Sequence, residues 1–360
     1  VRRLIQFHPS VTERDAIGNE MVALHRAVSG AGIESLLYAL EGGAVDGVTV
    51  RSVAKLDVTA CDTLLLHYSL GHEAFESLAR ARCRRLLLFH DVTPPELLRG
   101  APLDTVEAAR AGLARAGWVA SQCEAAAVHS RSSASSLKSR GGPGATVLPY
   151  LLRPELLETA PNPAFAARLG GRSPILLTVG RVLPHKRIED VILVYDYLRR
   201  VSPDPWHLVV AGSTDHAPGY VESLASLCGK LELPGVRFTG GVSQAELNGW
   251  FRAARSFLCM SAHEGFCVPL VEAMHHRLPV FALSRAAIPE TLRGAGVTFS
   301  SPDWVAIAEA IDAVERAPGL RNGILDVQDQ AYRTYEPGAA ARTWLEWLEL
   351  PERESTPTRM

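Results

Sequence analysis

The chain has 360 residues, 47% of them hydrophobic and 21% charged, and its 37 basic and 39 acidic residues leave a net charge of −2. At roughly 100–200 residues per domain, that length implies two domains whose cores need no disulfide or metal staple. The balanced charge argues against a nucleic-acid partner, and the composition fits neither disorder, collagen nor coiled coil.

Strand-sized apolar runs alternate with helical patterns from the start of the chain. Residues 4–7, 35–39, 63–67, 86–89 and 117–121 read as successive strands, and 16–30, 73–82 and 103–114 as helices between them. In the first helix Ile17, Met21, Leu24 and Val28 fall on one face. Apolar runs without strict alternation suit strands covered on both faces, and strand–helix–strand spacing predicts a mostly parallel sheet with right-handed crossovers. The serine-rich stretch 130–136 and the glycines at 141–144 break this pattern. Pro149, Pro154, Pro161 and Pro163 then mark a hinge near residues 150–172.

A second series follows. Strands are expected at 175–179, 206–211, 236–239, 256–260, 279–282 and 297–299, and helices at 188–199, 220–231, 244–253, 269–275, 287–292 and 302–317. The tail is helical and carries Tyr332, Tyr335, Trp344, Leu345, Trp347 and Leu348, side chains that rarely stay in water. The expected division is 1–165, 166–325 and a helical tail, 326–360, returning to the first domain. The fold class expected is α/β, with two Rossmann-like domains facing across a deep cleft.

The six cysteines include no CxxC pair and read as free thiols of a cytosolic protein. No apolar run approaches a membrane span, and no signal-peptide stretch opens the chain, so a cytoplasmic location is expected.

The densest polar signal is Glu264-Gly265-Phe266-Cys267-Val268-Pro269-Leu270-Val271-Glu272, at a strand-to-helix junction. Pro269 suits a first helical turn, where its missing N–H costs nothing. Such junctions bind anions. The two carboxylates repel phosphate and read instead as acceptors for hydroxyls beside it. The partner signal, after the first strand of the same domain, is Gly180-Arg181-Val182-Leu183-Pro184-His185-Lys186-Arg187, whose cations suit a diphosphate. Alone, Glu272 could be a solvated helix residue, and Arg181 with Lys186 a surface pair. Together they describe a sugar-nucleotide site. No Asp-x-Asp triplet, Walker loop or GxGxxG occurs, which predicts a metal-free site with no cofactor and disfavours a nicotinamide enzyme. His275-His276 lacks an HExxH frame, His67 reads as structural, and Arg80, Arg82, Arg84 and Arg85 form a basic cluster that could meet an anionic membrane surface.

These segments resemble the retaining GT-B glycosyltransferases of family 4, over about residues 170–315 and more loosely before them. That family carries a glutamate, seven residues and a second glutamate, matched by Glu264 and Glu272, and a Gly-Arg…Lys segment matched by Gly180, Arg181 and Lys186. Val236-Arg237-Phe238-Thr239-Gly240 matches the segment leading to the nucleobase. The stretches His8-Pro9-Ser10…Asp15-Ala16-Ile17-Gly18-Asn19-Glu20 and Leu88-Phe89-His90-Asp91-Val92-Thr93-Pro94-Pro95 look like bacterial exopolysaccharide or O-antigen enzymes of the family. Where many relatives have a Gly-Gly loop, this chain holds Asp15, Ala16, Ile17 and Gly18.

The resemblance implies that Glu272 holds the ribose hydroxyls and that Glu264 and His90 contact the transferred sugar. It implies that Arg181 and Lys186 stabilise the leaving diphosphate, and that the backbone of Gly265, Phe266, Cys267, Val268, Pro269 and Leu270 lines sugar and phosphate. The expected function is metal-independent transfer of a hexose, with retention, from a UDP- or GDP-linked donor to a sugar or lipid-linked acceptor in bacterial polysaccharide or glycolipid synthesis. The alternatives are a nucleotide-sugar epimerase and a non-catalytic nucleotide-sugar-binding protein.

Overall fold

The structure is a computed structural model that describes residues 3–13, 15–161 and 173–349. Its contacts divide the chain into two units: one of residues 1–92, 111–153 and 335–360, the other of residues 93–110 and 154–334. The chain crosses between the units at 92/93, 110/111, 153/154 and 334/335; the division expected at 165/166, with residues 162–172 of the proline stretch, lies outside the described residues.

The first unit holds eight strands: β1 (Arg3–Phe7), β2 (Glu34–Ala39), β3 (Gly43–Val45), β4 (Val48–Ser52), β5 (Thr63–Tyr68), β6 (Arg84–Phe89), β7 (Ala125–Val128) and β8 (Ala145–Val147). They stand in the order β3-β4-β2-β1-β5-β6-β7-β8, parallel except for the β3–β4 pair. The second unit holds β9 (Ile175–Val179), β10 (His207–Ala211), β11 (Val236–Phe238), β12 (Ser256–Cys259), β13 (Val280–Leu283) and β14 (Val297–Phe299), in the order β11-β10-β9-β12-β13-β14. All its strand pairs are parallel. In each sheet the order reverses once, between β1 and β5 and between β9 and β12. In open α/β sheets ligands bind at such a reversal, beyond the carboxyl ends of the strands.

Apolar runs fill these strands because helices cover both faces: β5 and β12 are buried along their whole length. In the second unit Val191, Val194, Tyr195 and Leu198 of helix Ile188–Val201 pack with Ile307, Ile311 and Val314 of helix Trp304–Arg316. In the first, the last helix, Pro337–Leu348, lays Trp344 into the core with Leu4, Leu24, Val28 and Leu65. Trp344 is fully buried and its indole N–H donates to the Pro149 carbonyl at 2.8 Å. The helix before it, Pro318–Arg333, belongs to the second unit, where buried Gln328 donates to the Leu278 carbonyl and accepts from the Val280 N–H.

Three readings of the sequence are corrected. Residues 117–121 are no strand but the end of helix Leu103–Ser121. Gly117 lies so close to the following loop that a Cβ there would stand 1.9 Å from the Arg140 carbonyl oxygen. The strand is β7, a run of alanines ending in Val128, which β-propensity does not flag. Residues 130–136 are not a break: Ser130 caps helix Arg131–Ser139 by accepting from the Ser133 N–H, and Leu137 buries the helix. The hairpin of β3 and β4 lay unnoticed between two longer elements.

Candidate active site

The second unit's site is built at the reversal between β9 and β12. The loop after β9 is held to the one after β10 by Gly180 N–H to the Ala211 carbonyl and Val182 N–H to the Ser213 carbonyl, each 2.9 Å. The approach is close enough that a Cβ on Gly212 would stand 2.0 Å from the Gly180 oxygen, and both glycines have positive φ, 146° and 152°. Gly240, after β11, bridges to Gly212. From the other side, the Ala262 N–H donates to the His185 carbonyl at 2.8 Å. Four strand ends are thereby stitched into one rim.

On that rim Lys186 Nζ donates to Glu264 Oε1 at 2.5 Å, with both side chains nearly buried, at 16% and 11% exposure. Burial works to lower the lysine pKa, but the Glu264 carboxylate outweighs it and the pKa rises. Burial works to raise that of Glu264, but Lys186 and then His185 bring it below the ordinary value. Both are therefore charged near neutral pH, and the ammonium keeps two donors beyond the one given to Glu264. Arg181 is exposed and forms no ion pair with any described residue.

Glu272 lies in helix Val268–His275, which Cys267 caps in the left-handed conformation, φ 77°, with no side-chain bond to its first turn. Glu272 is half-buried, its carboxylate has no hydrogen-bond or ion-pair partner among the described residues, and burial pushes its pKa up to about 7. The loop between the two glutamates is anchored from behind, the Ala287 N–H donating to the Glu264 carbonyl and the Thr291 hydroxyl to the Phe266 carbonyl. Leu270 is wholly buried and Phe266 and Cys267 nearly so, so their side chains support the loop. Pro269 brings no N–H to it.

Two features of this rim escape sequence reasoning. His185 is buried with Nδ1 unpartnered among the described residues, and burial, then the Lys186 charge, pushes its pKa down to about 3, so it stays neutral. Cys259 and Cys267, both buried, bring their sulfurs within 3.9 Å. Neither has a local spacing signal; only the strand-to-helix turn brings the sulfurs together.

His90 belongs to the first unit. It follows β6 and its Nε2 lies 3.0 Å from Nδ1 of His67, with His129 and Glu20 on its other side. The next residue, Asp91, takes a positive φ of 69° and accepts from its neighbour's N–H and from the Ser136 hydroxyl. In the opening motif Asp15 caps helix Ala16–Gly30 and Gly18 fits where a Cβ would stand 2.5 Å from the Thr12 oxygen. Most of the basic cluster has partners inside the chain. Arg80 lies over Trp118, Arg84 donates to the Leu348 carbonyl and to Glu349, and Arg85 donates to the Ala81 carbonyl. No helix of the described residues is long and apolar enough to cross a membrane.

Residues 164–325 match the family of glycosyl transferases group 1. The chain is 32% identical over 160 residues, 42% of its length, to a GDP-mannose:cellobiosyl-diphosphopolyprenol alpha-mannosyltransferase of Komagataeibacter xylinus. It is 28% identical over 135 residues, 38% of its length, to the O-antigen chain mannosyltransferase B of Escherichia coli. The matched stretches span 40% and 35% of those relatives. Among solved structures it is similar to Anabaena HepE in complex with UDP and glucose, with TM-score 0.74 and 16% identity, covering 96% of this chain and 99% of that one. It is also similar to a sucrose-phosphate synthase of Thermosynechococcus elongatus, with TM-score 0.76 and 15% identity, covering 96% and 98%. The fold is GT-B, and the family resemblance carried by the two motifs holds.

Proposed function

We propose that this chain, related to the group 1 glycosyl transferases through residues 164–325, transfers a hexose from a nucleoside-diphosphate sugar to an acceptor hydroxyl with retention of configuration. One observation carries the reading: at the strand-order reversal of the second unit a nearly buried Lys186–Glu264 pair lies on the same rim as Arg181, an exposed cation with no ion-pair partner among the described residues.

In this reading Arg181, the two remaining donors of Lys186 and the first turn of helix Val268–His275 take the diphosphate. They stabilise the charge that grows on it as the sugar–phosphate bond breaks. They also fill the place that a metal held by an Asp-x-Asp triplet takes elsewhere, so the transfer is metal-independent. Glu272 accepts from the ribose hydroxyls. Glu264, oriented by Lys186, accepts from hydroxyls of the transferred sugar. Backbone groups of Gly180 and of the loop from Gly265 to Leu270 line sugar and phosphate. The acceptor oxygen bonds to the anomeric carbon on the face the phosphate leaves, and its proton passes to the departing phosphate oxygen. No carboxylate is assigned as a nucleophile. Val236–Phe238 and Gly240 border the nucleobase.

The names of the two curated relatives point to mannose and to bacterial polysaccharide or glycolipid synthesis, so GDP-mannose heads the donor panel and a lipid-linked sugar the acceptor panel. The test is calorimetric titration with UDP- and GDP-hexoses, followed by product analysis with and without acceptor. Saturable binding of one donor, lost in Arg181→Ala, with transfer to an added acceptor, is expected. Absence of binding across the panel overturns the reading, and turnover of the donor sugar without any acceptor would show epimerisation instead.

A further inference from the structure

We propose that Cys259 and Cys267 of the second unit form a reversible oxidation site, which hydrogen peroxide closes to a disulfide and a dithiol reopens. The bond itself does not depend on the donor reading; its effect on donor binding rests on that reading. Cys259 ends β12 and Cys267 precedes helix Val268–His275. The turn between strand and helix folds the chain back and brings the two sulfurs to 3.9 Å, side chain against side chain. The two residues are 6% and 7% exposed, which shields them from bulky reagents without sealing them from a small oxidant.

The surroundings give the two thiols different parts. Cys267, and Ser261 with its hydroxyl oxygen 3.5 Å from the Cys259 sulfur, favour a Cys259 thiolate and hold its pKa below the ordinary thiol value. Contact with Cys259, then burial, pushes that of Cys267 well up, so Cys267 keeps its proton. The Cys259 thiolate is the nucleophile and attacks one peroxide oxygen. The O–O bond breaks, hydroxide leaves and takes up the proton that Cys259 released, and Cys259 becomes a sulfenic acid. The Cys267 sulfur then attacks that of Cys259. The S–O bond breaks, and the oxygen leaves as water with the Cys267 proton. Two thiols are oxidised to one disulfide, and one hydrogen peroxide is reduced to two waters. A dithiol reverses the change by exchange and itself becomes a disulfide.

The bond closes a ring of residues 259–267. That ring carries Glu264, held by Lys186, and the Ala262 N–H that donates to the His185 carbonyl. Forming the bond shortens the sulfur separation to about 2.05 Å. Pairing with Ala282 of β13 pins Cys259 in the sheet, so the closure draws Cys267 and the helix start towards the strand. Glu264, three positions before Cys267, moves with them, while Lys186 stays on the loop after β9. Oxidation thereby disturbs the rim that takes the donor.

The experiment treats the whole chain with hydrogen peroxide, alkylates the remaining thiols and maps the cysteine peptides by mass, before and after dithiothreitol. A Cys259–Cys267 disulfide that forms in the folded protein and disappears on reduction is expected. Reduced, oxidised and re-reduced protein are then titrated with GDP- and UDP-hexoses by calorimetry. Donor affinity should fall roughly tenfold on oxidation, as when one hydrogen bond to a charged group is lost, and return on reduction. Cys259→Ser, with Cys259→Ala in reserve against misfolding, should bind donor as the reduced parent does and ignore peroxide. Thiols 259 and 267 that stay free while exposed Cys61 is oxidised overturn the proposal. So does a disulfide between other cysteines, and so does a Cys259–Cys267 bond that leaves donor affinity unchanged. If the reduced protein binds no donor, the donor reading falls, and the mass map still decides whether the disulfide forms.

Discussion

The two sheets share a single reversal of strand order and furnish it with different chemistry. Beyond β9 and β12 the second unit gathers charges of both signs, Lys186 against Glu264 with Arg181 exposed on the same rim. Beyond β5, β6 and β7 the first unit gathers imidazoles about one fully buried carboxylate, and Trp344 of the last helix closes over His129 with ring centroids 6.5 Å apart. The scaffold fixes where a site forms, while side chains decide its chemistry. Cations beside an open helix start attract phosphate, whereas the Glu20 carboxylate is already answered within the fold by His129.

The largest effect that separates the two regions is expected from Lys186→Ala. Transfer should fall roughly thousandfold, as when a preorganised charge is removed from a transition state. The variant should also lose about 3–5 kcal/mol of stability, because Glu264 is left charged and nearly buried. Adding Glu264→Gln should restore the stability measured by urea unfolding and leave the turnover low. A double variant that regains activity would show that the pair is only structural.

A smaller effect is expected at Arg181, which gives the clean contrast. It is exposed and forms no ion pair with a described residue, so Arg181→Ala should keep the melting temperature of the parent. Its turnover should fall about a hundredfold. Equal loss of stability and activity would mean that Arg181 holds the loop rather than the diphosphate.

The sequence carries the second region far better than the first, for physical reasons. Strands β9 and β14 and helix Gln244–Ala253 fall where the pattern puts them, since apolar runs bounded by turn residues announce buried parallel strands. That helix also starts on a full capping box between Ser243 and Glu246. Lys186 and Glu264 are 78 positions apart, yet each sits in a motif with a recognisable strand-to-helix context. Nothing comparable marks the first region. Glu20 and His129 are 109 positions apart, β7 is built of alanines, and the helix after it is built of serines. His67 reads as a structural histidine when taken alone. Its part in orienting His90 exists only because β5 and β6 are neighbours in register, His67 opposite Leu88, one position short of the strand end. A cluster assembled by strand order alone leaves no spacing to read.

The smallest effect, at Glu272, sharpens the comparison through pH. Its carboxyl has no donor among the described residues, and burial raises its pKa to about 7 from an ordinary value near 4.5. Between those two values the folded protein keeps a proton that the unfolded chain has lost. The contribution to stability is therefore fully present below the unfolded pKa and drains away as the pH rises through 7. Ribose hydroxyls reverse the preference, because they need an ionised acceptor. With a pKa of about 7, roughly a tenth of the molecules are ionised at about pH 6 and nine-tenths at about pH 8, so donor affinity should rise about tenfold across that interval. Glu272→Gln should flatten both dependences while leaving the fold intact, since the amide matches the acid in shape and carries no charge to bury. Calorimetry of donor binding at several pH values, run beside urea unfolding at the same values, reads the two slopes together. A flat affinity in the parent, or an unchanged slope in Glu272→Gln, would remove Glu272 from the donor site and leave the cations of the rim as its sole recognition of the nucleotide.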